Sequence, residues 1–247
     1  MKIGLLKVGR VTDELHDKYG EYPPMFPDLL SPADPTAEFQ NYYVLNGERP
    51  GSPEACDGWV ISGSANGVYD DAPWIAWLRG FLQEARRLHR PMVGICFGHQ
   101  ILAEALGGTA ELSTKGWGVG VHRYEVKARP SWMADAPAEL ALHAMHRDQV
   151  TAIPEDATLL ASSPFCPYAM LAYGDPEMPC AISVQPHPEF ERSFAEDLVQ
   201  LRTDDGKIPA PIGEPALATY GTPVDNAPFA RWIMRYFRLR MDAQAAA

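Results

Sequence analysis

The sequence predicts an α/β fold with a parallel sheet in its first half and a strand-rich second half packed on it. Two short apolar runs, residues 3–8 and 59–63, have the length and composition of buried strands. A helical pattern at 74–89 then precedes a third apolar run at 91–95. Strands that alternate with helices in this way are typical of a covered parallel sheet.

The segment between the first two strands, residues 11–40, is rich in Pro, Asp, Tyr and Phe. This composition is poor material for a long regular element, so the sequence predicts a loop or lid inserted there. Tyr22, Phe26 and Tyr42 either line the mouth of a pocket or pack within the loop.

The helix and strand that follow have clear boundaries. Pro73 is expected to open the helix at 74–89, where apolar residues recur at helical spacing. The strand at 91–95 ends at Cys96, and a helix continues at 101–106 until Gly107 stops it. The local order is therefore strand, tight turn, helix.

The second half changes character, with predicted strands at 119–126, 158–161, 169–172 and 180–184 between Gly and Pro turns. A helix is expected after Glu191, then a Pro- and Gly-rich loop at 206–223, and a C-terminal helical extension at 225–240. With 247 residues, 46% of them hydrophobic, the chain can bury one substantial core. We therefore expect a single domain over residues 1–247.

Composition excludes several classes of function. The net charge of -11 argues against nucleic acid as a partner, since nucleic-acid binders concentrate Lys and Arg on one face. No apolar run approaches the roughly 20 residues of a membrane span, and the N-terminal run is too short for a signal peptide, so a cytoplasmic protein is expected. The four cysteines lack a Cys-x-x-Cys pair and zinc-like His spacing, which indicates neither a metal site nor a disulfide framework. No cofactor is expected.

Cys96 lies in a Gly-x-Cys-x-Gly pattern at 94–98, between a predicted strand and a predicted helix. This pattern is typical of a nucleophile elbow, in which flanking glycines let the backbone approach closely. A sulfur at the first turn of the helix would feel its positive end, which favours the thiolate. Taken alone, the pattern leaves a buried structural cysteine the more common alternative.

His187 and Glu189 follow the apolar run at 181–184, where a strand of an α/β sheet ends and ligands usually bind. Their spacing of two can put both side chains on one side of an extended segment, so that the carboxylate orients the imidazole. A thiol, an imidazole and an acid are what acyl transfer through a thioester requires. An exposed His-Pro-Glu turn is the alternative.

Three ordered segments, residues 94–100, 146–150 and 185–189, together resemble the class I (triad) glutamine amidotransferases. The similarity extends to stand-alone members such as γ-glutamyl peptidases and to GMP-synthase-type glutaminase domains. The resemblance implies a flavodoxin-like three-layer sandwich. It also implies that Cys96 attacks a glutamine side-chain amide to give a γ-glutamyl thioester and ammonia, while His187 protonates the leaving nitrogen and Glu189 orients His187.

The resemblance implies further site residues. An oxyanion hole would use the backbone N–H of Phe97 and that of Gly63 or Ser64, where this sequence departs from the family's usual Gly-Gly-Pro or Pro-Gly-Gly pattern. Substrate would be held by Gln100 and by the backbone around Gly116, Trp117, Gly118, Met145 and His146. Trp117 fits an ordinary core position equally well, and His146 with Asp148 fits a loop brace equally well. His99 is expected to be structural.

Three functions stay open at this point. The chain could release ammonia from glutamine for a separate synthetase chain, because it has no phosphate-binding loop of its own. It could instead cleave γ-glutamyl peptides such as glutathione derivatives, or keep the fold as a silent binding or regulatory protein. The segments 11–40 and 206–223 are where substrate selection is expected, since loops at the rim of a sheet often carry specificity.

Overall fold

A computed structural model describes residues 1–20 and 25–246 of the chain. The strands in chain order are β1 (Lys2–Lys7), β2 (Glu38–Tyr43), β3 (Gly58–Ile61), β4 (Met92–Ile95), β5 (Thr109–Leu112), β6 (Gly118–Val126), β7 (Glu139–His146), β8 (Asp148–Ala152), β9 (Ala157–Ser162), β10 (Met170–Tyr173) and β11 (Ala181–Val184). The helices are α1 (Asp13–Tyr19), α2 (Met25–Leu30), α3 (Pro73–Arg87), α4 (Phe97–Ala105), α5 (Arg192–Asp204), α6 (Ala210–Leu217) and α7 (Asn226–Ala245).

The central sheet has nine strands in the order β2-β1-β3-β4-β11-β10-β9-β6-β7. The first five strands of this order are parallel to one another, and the pairs from β11 to β7 are antiparallel. Strands β5 and β8 form a separate antiparallel pair. Because β3, β4 and β11 are parallel neighbours, the residues that follow them meet at one edge of the sheet.

Alternate residues of the parallel strands pack on opposite faces of the sheet. Leu5 packs in a cluster with α2 and α7, whereas its neighbour Leu6 packs in a cluster with α3 and α4. Side chains of successive strand residues point to opposite faces, which explains this division. Helices thus cover both faces, and the three-layer α/β sandwich predicted as flavodoxin-like is confirmed.

The segment 11–40 is not the loop that the sequence predicts. It contains the short helices α1 and α2, and its last residues begin β2 at the sheet edge. Phe26 is buried in the core and Tyr42 packs against Trp59, with ring centroids 5.6 Å apart. Neither side chain is at a pocket mouth, and Tyr22 lies outside the described residues. The helices form because their few apolar residues dock on the sandwich, which local composition does not reveal.

The predicted loop at 206–223 is also wrong for its central part, which forms α6. Pro209 lies at the N-cap and Pro211 in the first turn, where the missing N–H costs no helical bond, whereas Pro215 lies inside the helix and removes one such bond. In the region of the predicted C-terminal extension, α7 continues to Ala245. The Tyr236 hydroxyl of α7 accepts from the Met92 N–H at 3.1 Å and donates to the Cys180 carbonyl oxygen at 3.0 Å, which joins this helix to the sheet. None of the described helices is long and apolar enough to cross a membrane.

Candidate functional site

Cys96 and His187 come together because they follow neighbouring parallel strands. Ile95, the last residue of β4, is in register with Val184, the last residue of β11. The Cys96 N–H donates to the Val184 carbonyl oxygen at 2.9 Å. The two segments therefore leave the sheet side by side, at its carboxyl edge.

Cys96 lies in a strained turn between β4 and α4. Its φ is 55° and its ψ is -105°, a backbone conformation that residues with a side chain rarely adopt. A Cβ on Gly94 would lie 2.3 Å from the Gly98 carbonyl oxygen, and a Cβ on Gly98 would lie 2.3 Å from the Ile61 carbonyl oxygen. Only glycine fits at both positions, so the pattern predicted as a nucleophile elbow corresponds to a real close approach of three backbone segments.

The thiol of Cys96 lies at the N-terminus of α4, where the first-turn N–H groups have no carbonyl partner within the helix. Its Sγ atom is 3.9 Å from the Met145 carbonyl oxygen, and the residue is 5% exposed. The sulfur therefore lies beside the positive end of the helix dipole.

His187 and Glu189 form a buried pair. The His187 Nδ1 lies 2.6 Å from the Glu189 Oε1, and both residues are 3% exposed. The His187 ring also stacks on Phe190, with centroids 4.0 Å apart and planes 9° apart. Its backbone N–H donates to the His143 carbonyl oxygen at 2.8 Å. Contacts on the ring edge, the ring face and the backbone thus fix the imidazole in one orientation.

The charge state of His187 is set by opposing effects. Burial alone would lower its pKa, but the Glu189 carboxylate and then the Cys96 sulfur, by charge and hydrogen bonding, raise the pKa to about 10. The imidazole therefore favours its protonated form beside the sulfur. Because Nδ1 is engaged by Glu189, Nε2 is the ring atom free to exchange a proton.

The backbone positions suggested for an oxyanion hole lie around Cys96. A Cβ on Gly63 would lie 2.9 Å from the His187 Cε1 and 3.5 Å from the Cys96 Cβ. The backbone after β3 therefore packs closely against both His187 and Cys96. Ser64 lines the cavity above the sulfur, and Phe97 is the first residue of α4. All three predicted positions adjoin the site.

Gln100 has its amide N–H groups already engaged. Its Nε2 donates to the Asp148 carbonyl oxygen at 3.0 Å and to the Gln185 Oε1 at 3.1 Å. The side-chain amide carries two N–H donors and one carbonyl oxygen. Only its carbonyl oxygen therefore has capacity left, and that atom accepts hydrogen bonds.

The candidate site opens into a cavity of about 830 Å³. Predicted residues on its wall are Cys96, Gln100, Trp117, Met145, His146, His187 and Ser64. Two further predicted residues, Gly116 and Gly118, are not on this wall. Gly116 has a φ of 77° in a turn before β6, and a Cβ on Gly118 would lie 2.4 Å from the Phe165 ring. Gly118 is thus held against Phe165, while Trp117 between the two glycines lines the cavity.

His146 and Asp148 are in strands of two different sheets rather than in the predicted loop. His146 ends β7, Asp148 begins β8, and the His146 Nδ1 lies 3.2 Å from the Asp148 carbonyl oxygen. Burial lowers the pKa of His146 to about 3, so its ring is neutral. His99 is fully buried with its Nδ1 2.7 Å from the Ser183 Oγ, which agrees with its predicted structural role.

Other residues of the cavity were not found from the sequence. The Tyr69 hydroxyl donates to the Asp148 Oδ2 at 2.9 Å across 79 positions of the chain. Cationic side chains on the wall come from three separate segments, at Arg10, at Arg147, and at Arg202 with Lys207. Single charged residues in unrelated segments carry no pattern that would have grouped them. Among the described residues, no group of His, Cys, Asp and Glu could hold a metal ion, and all four cysteines are free.

The fold matches that of known amidotransferases. The crystal structure of a glutamine amidotransferase from Thermotoga maritima superposes on 97% of this chain and 97% of its own, with a TM-score of 0.72 and 20% sequence identity. This similarity concerns the fold.

Sequence comparison defines the family. The model for glutamine amidotransferase class-I matches residues 40–199. γ-Glutamyl peptidase 4 of Arabidopsis thaliana is 30% identical over 208 residues, which cover 81% of this chain and 80% of that protein. The glutamine-hydrolyzing GMP synthase of Bacillus velezensis is 30% identical over 144 residues, covering 58% of this chain and 26% of the synthase. The chain belongs to the class I glutamine amidotransferase family.

Proposed function

We propose that the chain hydrolyses γ-glutamyl amide bonds through a thioester on Cys96, and that its substrates are γ-glutamyl peptides. The observation that carries the proposal is the buried His187–Glu189 pair at 2.6 Å, which adjoins the sulfur of Cys96 at the start of α4. A nucleophile, a proton shuttle and an orienting acid in this order are the parts needed for acyl transfer.

The first half-reaction forms the thioester. The Cys96 thiolate attacks the γ-carbonyl carbon, and the oxygen becomes an oxyanion that accepts from the N–H of Phe97 and from Gly63 or Ser64. Protonated His187 donates a proton from Nε2 to the leaving nitrogen, so that the C–N bond breaks and a neutral amine departs. The γ-glutamyl group then remains on the sulfur.

The second half-reaction returns the free enzyme. His187, now neutral, accepts a proton from water, and the hydroxide attacks the thioester carbonyl. The C–S bond breaks, glutamate with a free γ-carboxyl group is released, and the Cys96 thiolate and protonated His187 are restored. Throughout both steps Glu189 keeps Nδ1 engaged and Nε2 directed at the reacting atoms.

The glutamyl end of the substrate is assigned to the part of the cavity around Gln100. The free carbonyl oxygen of Gln100 suits the α-ammonium group as a hydrogen-bond acceptor. Backbone groups at Met145 and His146 and around Trp117 would complete the recognition of the α-amino and α-carboxylate groups. These roles follow the family resemblance, and the lining of the cavity supports them.

Two observations favour a peptide over glutamine. A cavity of about 830 Å³ is near the upper end of the usual range for small-molecule sites, roughly 300–1,000 Å³, and leaves room beyond a glutamyl group. The similarity to a γ-glutamyl peptidase also spans 80% of that protein. Glutamine hydrolysis, with ammonia passed to a separate synthetase chain, is the second candidate. The similarity to the glutamine-hydrolyzing GMP synthase supports it, and because the matching part is only 26% of the synthase, an ammonia acceptor would have to be a separate chain.

Substrate turnover tests the proposal. Purified wild-type protein is given γ-glutamyl dipeptides and, separately, glutamine, and the released amino acid or ammonia is measured. We expect Cys96→Ala to abolish turnover, and Cys180→Ala, a change of the same kind at the far end of β11, to keep it. Turnover by Cys96→Ala at the wild-type rate would refute the catalytic role. Activity on glutamine but not on dipeptides would refute the peptide assignment.

A further inference from the structure

The wall of the cavity is cationic although the chain as a whole is strongly acidic. The described lining includes four cationic residues, at Arg10, Arg147, Arg202 and Lys207, and two anionic residues, at Asp70 and Asp148. The net charge of the chain is -11, so an excess of positive charge in this cavity runs against the average of the surface. Such local concentration of one sign selects ligands of the opposite sign.

The cationic residues divide into two places. Arg147 lies with its guanidinium carbon 5.6 Å from the centre of the Trp117 ring, and it follows His146 at the glutamyl end of the cavity. Arg202 and Lys207 lie at the end of α5 and in the segment after it. The Ile208 N–H donates to the Arg202 carbonyl oxygen at 2.8 Å, which folds the Lys207 segment back on the helix.

Arg10 lines the same cavity as Arg202 and Lys207. Its neighbour Val11 packs in one apolar cluster with Leu198 and Ile208. We name Arg10, Arg202 and Lys207 the distal cationic wall, to distinguish them from the lining residues around Gln100, to which the glutamyl end is assigned. The sequence predicts substrate selection near 11–40 and 206–223, and Arg10 and Lys207 lie at the margins of these two segments.

Existing contacts leave positive charge on this wall. Asp205 lies 3.3 Å from the Arg202 Nη1 and 2.8 Å from the Lys207 Nζ, so one carboxylate is shared by two cations. Arg10 donates from Nη2 to the neutral Asn46 Oδ1 at 2.6 Å. Three lining cations and one carboxylate leave an excess of positive charge on this wall.

We propose that the distal cationic wall binds a carboxylate on the leaving group, so that the enzyme selects γ-glutamyl compounds whose amine product is an amino acid or peptide with a free C-terminus. This inference rests on the proposed hydrolysis of γ-glutamyl amides and adds the class of leaving group. Ammonia and neutral amines carry no anion for the wall to bind. Substrates that release ammonia or a neutral amine are therefore expected to be the poorer substrates.

Matched substrates isolate this contact. The probes are γ-glutamylglycine and γ-glutamylalanylglycine, each compared with its own C-terminal amide, which differs only in the loss of the carboxylate. We expect kcat/KM of wild type for the better acid to exceed that for its amide by about tenfold, the size of one charge-assisted hydrogen bond. Raising the salt concentration should reduce this ratio, because exposed charges are screened.

Variants of opposite sign test the wall itself. The double variant Arg202→Gln/Lys207→Gln should lower the acid-to-amide ratio about tenfold. Asp205→Asn should raise the ratio, because it removes the carboxylate that competes for both cations. The control Arg192→Gln changes the same charge at the other end of α5, where Arg192 pairs with Glu196, and should leave the ratio at its wild-type value.

Each outcome has a separate meaning. Equal kcat/KM of wild type for acids and amides, or a parallel loss on both in the double variant, would overturn the distal wall while leaving γ-glutamyl hydrolysis intact. A decrease of the ratio in Arg192→Gln as large as in the double variant would overturn it as well. Failure of wild type to turn over any of the four probes would instead refute the proposed function, and the wall with it.

Discussion

Replacing Glu189 by Gln removes the buried charge that engages Nδ1 of His187 and raises the pKa of its imidazole. The carboxylate is enclosed, with its Oε1 2.6 Å from the His187 Nδ1. Its Oε2 has no hydrogen-bond partner among the described residues. A Gln side chain that keeps its oxygen on Nδ1 therefore puts an amide N–H group where the structure offers no acceptor. We expect this to cost about 1 to 3 kcal/mol of folding stability, the penalty of an unsatisfied buried polar group.

The stability difference should depend on pH. Glu189 and Cys96 raise the pKa of His187 from 6.5 to about 10 against the opposing effect of burial. A raised pKa contributes stability that is fully present below the unfolded value and is lost as the pH rises through the folded value. The gap between wild type and Glu189→Gln should therefore be largest near pH 6 and shrink toward about pH 10. Urea unfolding at several pH values measures it.

Glu189→Gln should also lower the catalytic activity. Without the carboxylate only the Cys96 sulfur still raises the pKa of His187 against burial. We therefore expect a smaller protonated fraction to donate to the leaving nitrogen, and kcat to fall about 100- to 10,000-fold. Glu191→Gln is the matched control, since Glu191 is exposed and two positions away. If Glu189→Gln kept the activity of this control, with a stability difference that does not vary with pH, the assigned role of the His187–Glu189 pair would be wrong.

Two further predictions concern packing and thiol chemistry. Gly98→Ala should destabilise the protein and reduce turnover, because its Cβ would lie 2.3 Å from a backbone oxygen of β3. Gly80→Ala, in open space on α3, should instead stabilise the protein by about 0.5 to 1 kcal/mol. Thermal unfolding compares the two variants, and equal stabilities would contradict the close approach at Gly98. Iodoacetamide at neutral pH should label Cys96 before Cys166, whose pKa burial raises to about 12, as peptide mass mapping would show. Faster labelling of Cys166 would contradict the assignment of Cys96 as the reactive thiol.

The parts of the fold that the sequence predicts are those with a strong local signal. The runs at β1, β3, β4 and β11 are apolar because both faces of the sheet are covered, and α3 shows its buried stripe at helical spacing. Strand β2 has no such signal, since it lies at the sheet edge and its residues are exposed or half-buried. Helix α6 carries two prolines that suggest a loop, and only its docking on α5 and β6 makes it a helix.

The candidate site also has residues that a local sequence motif predicts and residues that no motif predicts. Cys96, His187 and Glu189 are marked by short motifs because strained glycine turns and strand ends need particular residues at fixed spacing. The cations at Arg10, Arg202 and Lys207 are brought together only by the packing of α5 against the segment after β1. No spacing rule joins positions so far apart, so their shared cavity emerges only in three dimensions.

The proposed mechanism requires Cys96 to carry the γ-glutamyl group during turnover. Wild-type protein is mixed with γ-glutamylglycine, quenched in acid within the first turnover, and analysed by intact and peptide mass spectrometry. We expect a mass increase of one γ-glutamyl group on the peptide that contains Cys96. Hydroxylamine should cleave this group, and it should be missing from Cys96→Ala. Turnover of the substrate with the group on another residue, or with Cys96→Ala as active as wild type, would contradict it.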